Sequence, residues 1–166
     1  MDEPLPSLRS SRCAGLCPVA NFVYWLAVHG GLQILGRHRH DLDLSPDAQR
    51  DVPFGLGATV LWPHRDLVLR NLHLVGVHLG LTIEAGSLVG RLTAAAELGA
   101  TWGVREERHR FVRRGGLLLR ENRLVRWRRD RDGRVTESLL CAHRARVIYP
   151  APGDEAEAPE VSSWGR

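Results

Sequence analysis

Apolar and polar residues alternate with a two-residue period along much of the chain, which is the pattern of β-strands. The clearest stretch runs from Leu67 to Glu84, where glycines and β-branched residues disfavour a helix and predict one long bent strand or two strands. Further on, Gly115–Gly116, a possible turn at Glu121–Asn122 and the turn-like sequence Asp130–Gly133 separate shorter apolar runs. We therefore predict an antiparallel β-meander in the C-terminal half.

A different pattern predicts two helices. The first covers Pro18–His29 and is ended by Gly30–Gly31, although its aromatic and β-branched residues would also suit a strand. The second covers Ser87–Leu98, with Ser87 as N-cap and Gly99 as C-cap. A short helical turn at Ser45–Arg50 would be a third. The predicted fold class is α+β: a single domain with an antiparallel sheet and two or three helices.

The length of 166 residues suits one domain, and 43% apolar with 25% charged residues is ordinary globular composition. We expect a flexible segment over 1–12, one folded domain over 13–149, and an acidic, proline-rich disordered tail over 150–166.

The apolar runs Val19–Val28 and Leu72–Ile83 are too short for a transmembrane helix. Arginines precede the first run as in a signal peptide, but no small-residue cleavage site follows it, so secretion is disfavoured. Three cysteines, Cys13, Cys17 and Cys141, are too few for a disulfide framework. A cytoplasmic or nuclear location follows as the expectation.

All 23 basic residues are arginines, and the net charge is +4. The positive excess lies in residues 105–134, which contain 12 arginines and 5 acidic residues. Arginine binds phosphate bidentately and aromatic rings stack on bases, so this segment predicts contact with nucleic acid or another polyanion. The candidate contacts are Arg110, Arg113, Arg114, Arg123, Arg126, Trp127, Arg128 and Arg129.

Two other interpretations of the arginine-rich segment stay open. It could be a solvated outer face whose arginines pair with the five acidic residues, or it could bind an acidic protein surface.

The histidines suggest a metal site. In an extended segment His38 and His40 lie on the same side, with Asp43 close behind, and this set could hold a divalent metal in a hydrolase. Neighbouring arginines would repel a cation, and exposed loop histidines are the alternative. Cys13 and Cys17 lack a second ligand pair at the spacing of a zinc finger.

No motif in the sequence is specific enough to name an activity. The favoured function is therefore a non-enzymatic binding protein without a cofactor, whose partner is nucleic acid or an acidic protein surface. The alternatives are an adaptor domain that acts through strand 67–83 and a metal-dependent hydrolase that uses His38 and His40. A homo-oligomer is compatible with each of these functions.

Overall fold

The computed structural model describes residues 9–10, 16–44, 46–47 and 52–150. Within them the chain forms nine strands and one helix: β1 (Arg9–Ser10), α1 (Leu16–His29), β2 (Gln33–Gly36), β3 (Leu42–Asp43), β4 (Val68–Arg70), β5 (Val77–Glu84), β6 (Ser87–Ala94), β7 (Ala100–Arg114), β8 (Leu117–Asp130) and β9 (Val135–Val147).

The strands form three curled sheets, in the orders β1-β6-β5, β2-β4 and β3-β9-β8-β7. The pairs are antiparallel except β3 with β9, which is parallel. The largest sheet is the predicted meander: its hairpins turn at Gly115–Gly116 and at Asp130–Arg134. Glu121–Asn122, expected to be a turn, lies inside β8 instead.

Helix α1 lies between two sheets and is buried on most of its circumference. Tyr24 and Val28 pack with Leu124 of β8, whereas Phe22 and Leu26 belong to a second core cluster with residues of β6. A helix that is hydrophobic all round is stable only when it is covered on all sides. This burial explains why aromatic and β-branched residues adopt a helix here.

The predicted end of α1 is confirmed. Gly31 has a φ of 77°, and the Leu32 amide donates to the Ala27 carbonyl over 2.9 Å. This six-to-one hydrogen bond across a left-handed glycine is a Schellman cap, which terminates the helix and releases the chain into β2.

The predicted helix over Ser87–Leu98 is wrong, because this stretch begins with β6. Ala85 and Gly86 both have positive φ, of 48° and 76°, and Glu84 pairs with Ser87 across them. Two such residues form the tight turn that joins antiparallel strands. The apolar spacing that suggests a helix belongs instead to a strand whose residues Leu88, Val89 and Leu92 are buried.

Residues 67–84 form two strands in different sheets, which was one of the two predicted outcomes. A local turn separates them: the Asn71 side chain accepts from the His73 amide and donates to the Val75 carbonyl, both over 2.9 Å. Asparagine favours such turns because its side chain replaces backbone hydrogen-bond partners.

The α+β class with two or three helices is therefore wrong: the described chain is mostly β, with α1 as its only helix. The candidate turn at Ser45–Arg50 lies largely outside the described residues, as do most of segment 1–12 and of the tail, so the division into three regions stays a prediction. None of the described elements is a helix with the length and apolarity to cross a lipid bilayer.

Gly90 tests the contact between α1 and β6. A Cβ atom at this position would lie 2.7 Å from Leu26 and 2.8 Å from Phe22, so Gly90→Ala should lower the free energy of unfolding by about 1–3 kcal/mol. Urea denaturation measures this change. The matched control is Gly80→Ala in the same hairpin, where the nearest side-chain atom would be 3.5 Å away. Equal effects of the two substitutions would contradict the packing described.

Candidate functional site

Arg120, on β8, is buried to 1% exposure and makes polar contacts in several directions. One terminal nitrogen donates to Asp47 over 2.7 Å, and the other donates to Asp43 over 3.4 Å and to the Tyr149 hydroxyl over 3.2 Å. Tyr149 in turn donates to Asp43 over 2.7 Å. A buried charge is tolerated only when it is paired and hydrogen-bonded, and these contacts meet that condition.

A bulge in β7 supplies the remaining partner of Arg120. Arg108 and His109 together face Asn122, and Arg108 has a φ of 52°. The Arg120 Nε donates to His109 Nε2 over 2.7 Å. The bulge thereby aims His109 at the buried guanidinium, as bulges redirect single side chains elsewhere.

The guanidinium of Arg120 also stacks on Phe54, with its carbon 4.3 Å from the ring centroid. Phe54 is held from a second side by His143, whose ring centroid is 4.7 Å away. Phe54, Asp43 and His143 all belong to the wall of an open cleft, so the contacts of Arg120 fix part of that wall.

The cleft has a volume of about 160 Å³ and lies between α1 at Asn21, the segment around β3 and the loop that precedes Thr59. Polar groups and apolar side chains share its lining, which comprises Asn21, Arg37, Arg39, His40, Leu42, Asp43, Leu44, Val52, Pro53, Phe54, Gly55, Gly57, Thr59 and His143. Small-molecule sites combine apolar side chains with a few placed polar groups, and both kinds of group line this cleft.

Arg37 is anchored deep in the cleft by neutral groups. Its terminal nitrogens donate to the Tyr24 hydroxyl over 2.5 Å and to the Gly55 carbonyl over 2.8 Å, and Cys141 Sγ lies 3.8 Å away. Burial raises the pKa of Tyr24, although the neighbouring Arg37 opposes that shift, so the phenol stays neutral near pH 7. The charge of Arg37 is therefore held in place without a carboxylate among its described contacts.

Two loop features complete the wall. The Asn21 side chain accepts from the Ala58 amide over 2.7 Å, which ties α1 to the loop. Gly55 has a φ of 85°, and a Cβ there would lie 3.1 Å from the Asn122 side chain. Backbone freedom and close approach both require glycine at this position.

Thr59 lines the cleft at 7% exposure, and no described protein group hydrogen-bonds to its hydroxyl. The buried Nε of Arg37 is likewise unpartnered within the described residues. Such groups are rare in folded proteins, and ligand-binding sites are one place where they occur.

The predicted metal ligands do not converge. His38 and His40 are exposed, whereas Asp43 is 2% exposed and hydrogen-bonded to Tyr149. Across the described ranges, no group of three histidine, cysteine or acidic side chains could hold a metal ion. His40, Asp43 and His143 all line the cleft, but among the described residues they do not come together as a group that could hold a metal ion. Cys13 lies outside the described residues.

The arginine-rich segment does not form one basic face. Alternate residues of β8 point to opposite sides, which places Arg126 and Arg128 opposite Arg123 and Arg129. Arg126 is half-buried and donates to the Leu32 carbonyl over 2.9 Å, and burial lowers its pKa.

Other candidate phosphate contacts have protein partners. Arg110 donates to Glu121 over 2.8 Å, and Arg129 lies 5.6 Å from the ring centroid of Trp127. Trp127 itself packs over Gly103, whose missing side chain makes room for the indole. One side of its ring is therefore covered by β7, and the side chain is half-buried. Arg113 and Arg114 lie next to the β7–β8 turn.

Sequence reasoning missed Arg37 and Arg39 as functional groups and treated them only as repelling a cation. The alternation of Arg and His over 37–40 is the signal that could have found them, because the charge that excludes a metal favours an anion. Thr59 and Gly55 carry no such signal, since their roles depend on contacts between distant segments.

Replacing Arg120 with methionine should leave Asp43 buried without its cationic partner. We expect Arg120→Met to lower the free energy of unfolding by about 3–5 kcal/mol in urea denaturation. Arg128→Met, an exposed arginine on the same strand, is the matched control and should change it by less than about 0.5 kcal/mol. Similar losses for both variants would contradict the role given to Arg120.

Glu121 should make stability depend on acid pH. Burial opposes its ionisation, but hydrogen bonds from Arg110 and Arg144 outweigh that effect and lower its pKa. The resulting stabilisation is present above the unfolded-state pKa of roughly 4.3 and is lost as pH falls through the folded-state pKa. Glu121→Gln should therefore lower the urea midpoint at neutral pH and flatten its decline in acid.

The control for Glu121 is Glu97→Gln, because Glu97 is exposed and pairs with the exposed Arg131. Its urea midpoint should follow that of the wild type at every pH. If Glu121→Gln shows the same acid-dependent decline as the wild type, Glu121 is not responsible for it.

Comparison with known proteins finds one matching family model and a curated relative of this chain. A family model described as VanW like protein matches residues 7–93. A curated relative, the vancomycin B-type resistance protein VanW of Enterococcus faecalis (strain ATCC 700802 / V583), is 23% identical over 140 residues. That alignment covers 83% of this chain and 51% of the relative, so the chain spans about half the relative's length. No solved structure matches the chain significantly.

These matches overturn the functions expected from sequence. The nucleic-acid-binding interpretation is wrong, and the nuclear placement that accompanied it loses its basis. The adaptor and metal-dependent hydrolase alternatives are overturned with it. The expected cytoplasmic location, the absence of a cofactor and the oligomeric state stay predictions. Because the family model covers more than half of the sequence, this chain belongs to the VanW-like protein family.

Proposed function

We propose that this protein acts in vancomycin resistance, as the name of its relative describes, and that the cleft is its working site. Because the chain spans only about half of that relative, the activity of the whole relative is part of the proposal. The proposal concerns the segment that the two proteins share.

One observation carries the choice of site. All residues that line the cleft, except His143, lie within residues 7–93, the segment that the family model matches. The family segment therefore supplies nearly the whole wall. The C-terminal meander contributes His143, and it contributes Arg120 behind the wall.

The lining supports binding rather than bond cleavage. Its carboxylate, Asp43, accepts from Arg120 and Tyr149 and so is engaged in the structure. The Thr59 hydroxyl has no described base within hydrogen-bond distance that could activate it as a nucleophile. We therefore propose that the protein contributes to resistance by holding a small ligand.

A chimera tests this function. In an E. faecalis strain that lacks the relative, this chain would replace the matching region of the reintroduced relative, and the minimal inhibitory concentration of vancomycin would be measured. The chimera should raise that concentration above the empty-vector value. Arg37→Gln in the chimera should abolish the rise, because Arg37 is central to the cleft.

The matched control is Arg91→Gln, which removes the same charge at an exposed position outside the cleft and should preserve resistance. Immunoblots would establish equal amounts of each chimera. The proposal fails if the unaltered chimera behaves as the empty vector, or if Arg37→Gln confers as much resistance as Arg91→Gln.

A further inference from the structure

We infer that the cleft binds a small organic carboxylate, with Arg37, Arg39 and Thr59 as the groups that recognise its oxygens. The inference rests on the proposed function for the choice of the cleft as working site, and it adds the chemical class of the ligand. It is argued from the charge, the hydrogen bonding and the shape of the wall.

The cleft carries an excess of positive charge. Arg37 and Arg39 both line it, and their described partners are neutral: a hydroxyl and a carbonyl for Arg37, and the Ala142 carbonyl, at 2.7 Å, for Arg39. The one acidic residue in the lining, Asp43, faces Arg120. An arginine with only neutral partners attracts an anion, and the partly enclosed site strengthens that attraction.

Two buried groups of the wall have hydrogen-bonding capacity left. The Thr59 hydroxyl and the Arg37 Nε pair with no described protein group. Both atoms are almost completely buried, so a ligand oxygen reaches them only when surrounding side chains of the wall shift aside. Both can donate, and a carboxylate accepts through two oxygens. Donation to an ionised oxygen is stronger than donation to a neutral one.

The rest of the lining favours an organic anion over a bare inorganic one. Phe54 lies against His143, and Leu42, Leu44 and Val52 complete an apolar side. The volume of about 160 Å³ is close to that of a cavity that accepts benzene. A ligand with one planar, singly charged group and a compact apolar body fits both sides of the cleft.

Benzoate is a suitable probe because it joins a carboxylate to a ring of this size. Titration of the purified full chain, followed by isothermal calorimetry or by NMR, should show saturable binding of benzoate. Benzyl alcohol, which has the same ring without the charge, should bind at least about tenfold more weakly. Inorganic phosphate, which has charge without an apolar body, should also bind more weakly.

Thr59→Val is the sharpest variant, because it keeps the shape of the side chain and removes only the unpartnered hydroxyl. It should leave the urea midpoint unchanged or raise it, while it weakens benzoate binding by about tenfold. Arg39→Gln should weaken binding similarly and tests the exposed arginine. Arg91→Gln, outside the cleft, should bind benzoate as the wild type does.

Three results would overturn the inference: no saturable binding of benzoate, equal binding of benzyl alcohol, or tighter binding of phosphate. Unchanged affinity in both Thr59→Val and Arg39→Gln would do the same. The two proposals can fail separately. Benzoate binding by a protein that confers no resistance removes only the proposed function, whereas resistance that depends on Arg37 without benzoate binding removes only the ligand class.

Discussion

A buried arginine organises one wall of the cleft. Arg120 joins β8 to Asp43 on β3, to Asp47 and to Tyr149 after β9, and it stacks on Phe54. A charge in this position is unfavourable unless every neighbour is in place, so its contacts tie together segments that are distant in sequence. Asp43 and Phe54, two of these partners, are part of the cleft wall, so the contacts of Arg120 also hold that wall in place.

Part of the local secondary structure could be predicted from the sequence. Helix α1, its glycine terminus and the turn that begins at Asp130 follow from patterns within a few residues, whereas residues 67–84 were compatible with one bent strand or with two. The predicted helix over 87–98 is wrong because, over so short a run, the spacing of its apolar residues fits the period of a strand as well as that of a helix. The turn at Ala85–Gly86 decides between them, and alanine there gives no warning of a positive φ.

The site was less predictable, because its determinants are contacts and not motifs. A row of arginines in sequence suggested a basic surface, yet β-strand alternation divides it between two sides of β8. On one side Arg120 is buried and Arg126 is half-buried, and Arg128, near the end of the strand, is exposed. Arg37 gains its role from Tyr24 and Gly55, which belong to other segments. No reading of residues 37–40 alone could supply those neighbours.

The meander limits how far the segment matched by the family model can form the cleft without the rest of the chain. The match to the family model ends at residue 93, close to the end of β6, whereas the alignment with the curated relative covers 140 residues and so continues beyond it. The groups that hold Asp43 and Phe54 come from β8 and from beyond β9. The segment matched by the family model is therefore shorter than the unit that folds into the wall of the cleft. A fragment cut at residue 93 would keep most of the residues that line the cleft and lose the scaffold that aligns them.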